Sequence, residues 1–237
     1  MAKNKFLELG NTFGSDKVSL HNYHEIYPRY IKSLYNLEGG MVEIGLLGGA
    51  SLNLWLELFP NMHIYGLDIN PTKNIKENKR HTIIKADQSV QADLDNAMNK
   101  IKKPIWFIND DGSHIPEHQL LTFNTLFPKL NVGGIYIIED IETSYWTNHG
   151  LYGYKTRYGL GHPKSIIEIF KKAIDGVNHR YVLNPPNEEV KYQKQFHSIT
   201  FAQNCIIIVK GEENNKPYKF KKNLKTTSLF NWKGKAL

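Results

Sequence analysis

The chain has 237 residues, 41% of them hydrophobic and 22% charged, with a formal charge of +7. That composition suits one large α/β domain and excludes global disorder, because Tyr, Phe and Trp make up 12% of the residues. A single cysteine, Cys205, excludes a disulfide-built scaffold, and no apolar run approaches the roughly 18 residues of a membrane-spanning helix.

The start, Met-Ala-Lys-Asn-Lys-Phe-Leu-Glu, lacks the apolar block of a signal peptide, so a soluble cytoplasmic protein is expected. The positive charge is unevenly spread. Residues 1–149 carry 14 basic and 17 acidic side chains, whereas residues 150–237 carry 16 basic and 6 acidic ones. Only Arg29, Arg80, Arg157 and Arg180 are arginines. Phosphate and base recognition favours the planar arginine fork, so a lysine excess of this kind argues against a nucleic-acid partner.

Short apolar runs alternate with amphipathic stretches along the chain, the pattern of βαβ units around a parallel sheet. A helix is expected from about Asn22 to Asn36, interrupted by Pro28. Met41 to Gly45 reads as a strand entering a glycine turn, and a helix follows from Ala50 to Phe59. His63–Asp68 and His81–Lys85 read as the next two strands, the second closing on Asp87 and Gln88, with a polar helix over Val90–Ile101. Strand four, Ile105–Asn109, runs into Asp110-Asp111-Gly112-Ser113-His114, and Pro116 opens a helix to about Leu130. Strand five, Gly134–Ile138, is followed by Glu139-Asp140 and by a long loop bearing Tyr145, Trp146, Tyr152, Tyr154 and Tyr158. A helix is expected over Ser165–Val177, then an antiparallel pair, Phe196–Phe201 and Cys205–Val209. The expected architecture is a doubly wound, mostly parallel sheet with a C-terminal antiparallel hairpin. Residues 1–38 form a helical cap or lid, 39–211 the main domain and 212–237 a basic tail.

Two places carry chemistry. Glu43-Ile-Gly45-Leu-Leu-Gly48-Gly49 lies between a strand and a helix, where glycines let a ligand approach the backbone. Asp68 ends the next strand, where an acid can accept hydrogen bonds from ribose hydroxyls, and Asp87 ends the third on the same edge. A nicotinamide site would want Gly-x-Gly-x-x-Gly. The Glu-x-Gly turn here instead matches the Rossmann-like S-adenosylmethionine (SAM) methyltransferases. On strands four and five, Asp111, Glu139 and Asp140 should converge at the carboxyl ends of neighbouring strands, about 4.8 Å apart. Three clustered carboxylates call for a compensating cation, and hard oxygen donors suggest Mg²⁺. His114 sits on the turn beside them.

Asp110-Asp111-Gly-Ser-His114, Glu139-Asp140-Ile-Glu-Thr-Ser-Tyr-Trp146, Glu43-Ile-Gly-Leu-Leu-Gly-Gly-Ala-Ser51 and Gly14-Ser-Asp16-Lys17 with His21 and Tyr23 occur in order over residues 10–150. Together they resemble the metal-dependent sugar O-methyltransferases of the mycinamicin-biosynthesis type. The resemblance implies a class I SAM methyltransferase fold in which Asp111, Glu139 and Asp140 hold Mg²⁺. His114 would be the general base, with Asp111 also serving catalysis. Glu43, Gly45, Ser51, Asp68, Asp87 and Gln88 would line the SAM pocket. The acceptor would be a sugar of a glycan, nucleotide sugar or glycosylated metabolite. A catechol-like acceptor and a non-catalytic SAM- or nucleotide-binding module are the alternatives. Members acting on macrolide sugars carry a further N-terminal domain, so neither a macrolide acceptor nor their assembly carries over. A homo-oligomer stays open.

Overall fold

The computed structural model describes residues 4–73, 75, 78–147, 156–181 and 190–213. Seven strands form one sheet: β1 (Gly39–Ile44), β2 (Met62–Asp68), β3 (His81–Lys85), β4 (Ile105–Asp110), β5 (Leu130–Glu139), β6 (Phe196–Ala202) and β7 (Cys205–Lys210). Their order is β3-β2-β1-β4-β5-β7-β6. The first five strands pair parallel, while β7 lies antiparallel between β5 and β6. This is the mostly parallel sheet expected from the alternating runs, with the terminal hairpin in place. Asn204, at φ 58°, helps turn the chain between β6 and β7.

The helices are α1 (Lys5–Phe13), α2 (Asp16–Ser19), α3 (Pro28–Ile31), α4 (Ala50–Leu58), α5 (Gln91–Lys100), α6 (Pro116–Leu126), α7 (Ile166–Lys172) and α8 (Ile174–Val177). Asn4 caps α1 by accepting from the Leu7 N–H at 3.3 Å, and left-handed Gly14 ends it. The stretch from Asn22 to Asn36 is broken rather than continuous. Short 3₁₀ turns at Tyr23–Glu25 and Lys32–Leu34 flank α3, which begins at Pro28 because proline tolerates only the first helical turn. The helix expected over Ser165–Val177 likewise divides at Ala173 into α7 and α8. Tyr152, Tyr154 and the tail from residue 214 lie outside the described residues.

Side chains alternate across the sheet with period two. Val42, Ile108, Tyr136, Ile138, Ile206 and Ile208 pack with α5, α6 and α7 on one face. Met41, Phe107, Ile135, Ile137 and Ile207 face the other cluster, with Trp55 and Phe59 and with Phe6, Tyr23 and Tyr27 from the N-terminal segment. The N-terminal residues are thus part of the second core. Both faces being covered explains the near-continuous apolar strands. It also leaves the carboxyl ends of the parallel strands as the place where polar side chains gather.

Candidate active site

The carboxyl ends of β1, β2, β4 and β5 open into a cavity of about 700 Å³, within the size range of small-molecule sites. One end of it is made by the turn after β1. Gly45 adopts φ 83°, and a Cβ there would stand 2.0 Å from the Asp111 carbonyl oxygen, so only glycine fits between the two loops. Asp68 finishes β2 beside this turn. Its Oδ2 accepts from the Leu46 N–H at 2.9 Å and its Oδ1 from the Asn70 N–H at 2.7 Å. Gly45, Leu46, Gly48, Ser51, Asp68 and Asn70 all line this end.

The other end is acidic. Asp111 and His114 follow β4, and Asp140 follows β5. Donor atoms of these three residues lie within 4.8 Å of one another. His114 and Asp140 hold left-handed backbones, at φ 54° and 52°. Such conformations in non-glycine residues persist only where the surroundings enforce them, and they gather at functional sites. The enforcement is visible. Thr143 Oγ1 donates to the His114 carbonyl at 2.6 Å, while Asn204 Nδ2 and Tyr23 Oη donate to Asp140 Oδ1 at 2.8 and 3.3 Å. His114 Nε2 stands 3.7 Å from Asp140 Oδ2, and His21 Nδ1 stands 3.6 Å from Oδ1.

Burial and crowding set the charge states here. Desolvation, together with repulsion from Asp140, raises Asp111 to about 6 despite Lys17 beside it. Glu139 rises to about 7 from burial and repulsion by Asp111, and Asp140 to about 7 from burial and repulsion by Glu139 and Glu142. Burial lowers His114 to about 4, so its imidazole is neutral at pH 7. Burial contributes most to each rise, and repulsion among the carboxylates adds to it. Two carboxylates and an imidazole facing one point suit a hard divalent cation.

Lys17 of α2 supplies the partial balance. Its Nζ donates to Asp111 Oδ2 at 2.6 Å and to both oxygens of Glu139 at 2.9 Å. Tyr27 Oη donates to Glu139 Oε1 at 2.7 Å. Glu139 Oε2, accepting from Lys17, still has a second lone pair, so a metal bond from Glu139 would share an oxygen already engaged.

The expected site residues therefore distribute unevenly. Gly45, Ser51, Asp68, Asp111, His114 and Asp140 line the cavity; Glu43, Asp87, Gln88 and Glu139 do not. Glu43 is fully buried, its Oε1 accepting from Trp55 Nε1 at 2.8 Å, and burial raises it to about 8. Gln88 braces the acidic loop from behind: its Nε2 donates to Asp110 Oδ1 at 2.6 Å, and its Oε1 accepts from the Ser113 N–H at 2.8 Å. Asp87 caps its own turn by accepting from the Ser89 N–H and hydroxyl at 2.8 and 2.6 Å. The contacts of Lys17, Tyr23, Tyr27 and Asn204 with the acids had no separate signal. Lys17 and Tyr23 stand out only as members of the Gly14–Tyr23 motif, with no role attached.

No protein-family model matches the chain. It is 37% identical over 174 residues to the 8-demethyl-8-alpha-L-rhamnosyl tetracenomycin-C 2'-O-methyltransferase of Streptomyces olivaceus, covering 70% of this chain and 44% of that protein. It is 30% identical over 215 residues to the mycinamicin VI 2''-O-methyltransferase of Micromonospora griseorubida, covering 83% and 51%. Its fold superimposes on MycE methyltransferase of the mycinamycin pathway, solved in complex with Mg, SAH and mycinamycin VI. That match has a TM-score of 0.80 at 27% identity and covers 94% of this chain and 58% of MycE. The chain spans about half the length of these curated relatives. It has a Rossmann-like SAM-methyltransferase fold, and across that half-length region it is a homologue of the mycinamicin-type sugar O-methyltransferases.

Proposed function

We propose that the chain is a SAM- and Mg²⁺-dependent O-methyltransferase acting on a sugar hydroxyl of a glycan, nucleotide sugar or glycosylated metabolite. The observation that carries this is a single cavity with two unlike ends, Gly45 and Asp68 at one and Asp111, His114 and Asp140 at the other. A donor bound at the glycine turn and an acceptor at the acids would then meet inside one cavity, and much of the rate would come from that positioning.

SAM would lie against Gly45, Ser51 and Asp68, and it supplies the methyl group. Glu43 would support that pocket from β1 through its bond with Trp55, Gln88 would brace the neighbouring acidic loop through Ser113, and Asp87 would shape its own turn. Mg²⁺ would be held by Asp111 and Asp140, with Glu139 sharing an oxygen, and it supplies positive charge that makes a sugar hydroxyl more acidic. His114 is neutral at pH 7 and takes up the proton that methyl transfer releases. The α1–α3 segment forms one wall through Asp16, Leu20 and His21. Leu20 is 61% exposed and Leu47 88%, giving the mouth an apolar rim suited to the carbon face of a pyranose. A cytoplasmic location belongs to the same reading, with the one cysteine, Cys205, buried and free. No helix among the described residues is long and apolar enough to cross a membrane.

The test is methyl transfer from SAM to a panel of monosaccharides and nucleotide sugars, read as a mass gain of one methyl. Transfer to at least one sugar supports the proposal. Transfer only to catechols moves the acceptor class, and SAM binding without any transfer reduces the chain to a binding module.

A further inference from the structure

We propose that Lys17 is a built-in counter-cation: a positioning residue that keeps the acid cluster assembled without a metal ion and, through its charge, holds down the cluster's affinity for one. The inference rests on the metal-facing reading of Asp111 and Asp140 given above.

Lys17 is fully buried, which is costly for an ammonium unless its hydrogen bonds are well made. Its three short contacts, one to Asp111 and two to Glu139, match the donor capacity of the group. The backbone that carries it is fixed by close packing. The Ser15 N–H donates to the Gly10 carbonyl at 2.9 Å, and a Cβ on Gly10 would stand 2.2 Å from Val18 Cγ2. The backbone at Lys17 is therefore held against α1, which fixes the point from which its side chain reaches the acids.

The neighbouring residues repeat the arrangement. His21, Tyr23 and Tyr27 stack in a column with centroid spacings of 5.2 and 4.7 Å, and the two phenols donate to Asp140 and Glu139. One short segment thus contributes one full positive charge and two hydroxyl donors to the three carboxylates at the carboxyl ends of β4 and β5. Asp111 and Glu139 would otherwise face each other with no cation between them. A divalent ion arriving at Asp111 and Asp140 would come close to the Lys17 ammonium, which already contacts Asp111, and the two cations would repel.

The effects have opposite signs, which separates them from simple loss of packing. Lys17→Met in EDTA should melt roughly 10 °C below wild type, as expected when one partner of a buried pair is removed. The same variant should bind Mg²⁺ at least about threefold more tightly by calorimetry, because one repelling charge is gone. Lys17→Arg keeps the charge and should leave Mg²⁺ affinity within about twofold of wild type. Adding Glu139→Gln to Lys17→Met removes the stranded charge and should recover at least half of the lost melting temperature. The proposal is overturned if Lys17→Met binds Mg²⁺ no more tightly than wild type, or if the double variant melts no higher than the single one. Should Lys17→Met be recovered only as aggregate, a soluble double variant supports the proposal and an aggregated one overturns it. The melting comparison is made without metal. Wild-type protein that ignores Mg²⁺ would therefore count against the proposed function and leave the stability arm of Lys17 standing on its own result.

Discussion

The two ends of the cavity are built on different principles. The Gly45–Asp68 end is made from backbone geometry: a glycine that no other residue can replace, and a carboxylate oriented by two main-chain N–H groups. The Asp111–His114–Asp140 end is made from stored charge, with acids held above and a histidine held below their usual ranges by burial and mutual repulsion. A site can recognise a ligand with ordinary groups in an unusual backbone, whereas chemistry needs groups whose protonation is poised. On the proposed function the difference would divide recognition from reaction, and substitutions at the two ends should separate them.

The largest effect is expected at the charged end. His114→Ala should lower turnover by about 10²–10⁴-fold while leaving SAM affinity, read by calorimetry, within about twofold of wild type. Loss of SAM binding in that variant would erase the division. At the other end, Gly45→Ala places a methyl group against the Asp111 carbonyl in a left-handed backbone. A stability loss of about 3 kcal/mol by urea unfolding is expected, because overpacking and backbone strain both act there. A variant as stable as wild type would show that the two loops are not in contact.

Asp68→Ala should weaken SAM binding about tenfold, the cost of losing charged hydrogen bonds to a ligand. Mg²⁺ affinity should not move; if it does, the two ends are coupled electrostatically. The smallest effect concerns Glu43, which burial raises to about 8. A carboxyl whose folded value is raised contributes stability below its unfolded value, about 4.3, and loses it as pH rises through the folded one. Glu43→Gln keeps an acceptor for Trp55 and does not ionise. The variant should therefore gain on wild type between pH 5 and pH 8, by at least about 1 kcal/mol of unfolding free energy. A constant difference across that range would mean that Glu43 ionises normally.

Much of the scaffold was legible from pattern. Short apolar runs, glycine after β1 and acids at the ends of β2, β4 and β5 follow from local rules, and the sheet brings them to one edge as expected. Gly45 could be singled out because a strand-to-helix turn needs it. Its closeness to Asp111 could not, since that contact joins residues far apart in sequence. Asp110 and Asp111 look alike in the sequence. In the fold, Asp110 ends β4 buried against Gln88 and Tyr136, whereas Asp111, one residue on, lines the cavity. A one-residue step at the end of a strand reverses the direction of the side chain. Lys17 and Tyr27 reach the acids from more than 90 residues away, through the packing of α1 and α2. No periodicity encodes such a contact. The helix interruptions at Pro28 and Ala173 differ in the same way. Proline announced the first, whereas no proline or glycine marks the second at Ala173.

The central claim is that the acid end does its work with a metal ion on a sugar hydroxyl. The most direct measurement is methyl transfer from SAM to a sugar bearing vicinal hydroxyls, followed by mass spectrometry as EDTA is added and Mg²⁺ then restored. Transfer should stop with EDTA and return with Mg²⁺. Transfer that continues undiminished in excess EDTA would contradict the claim.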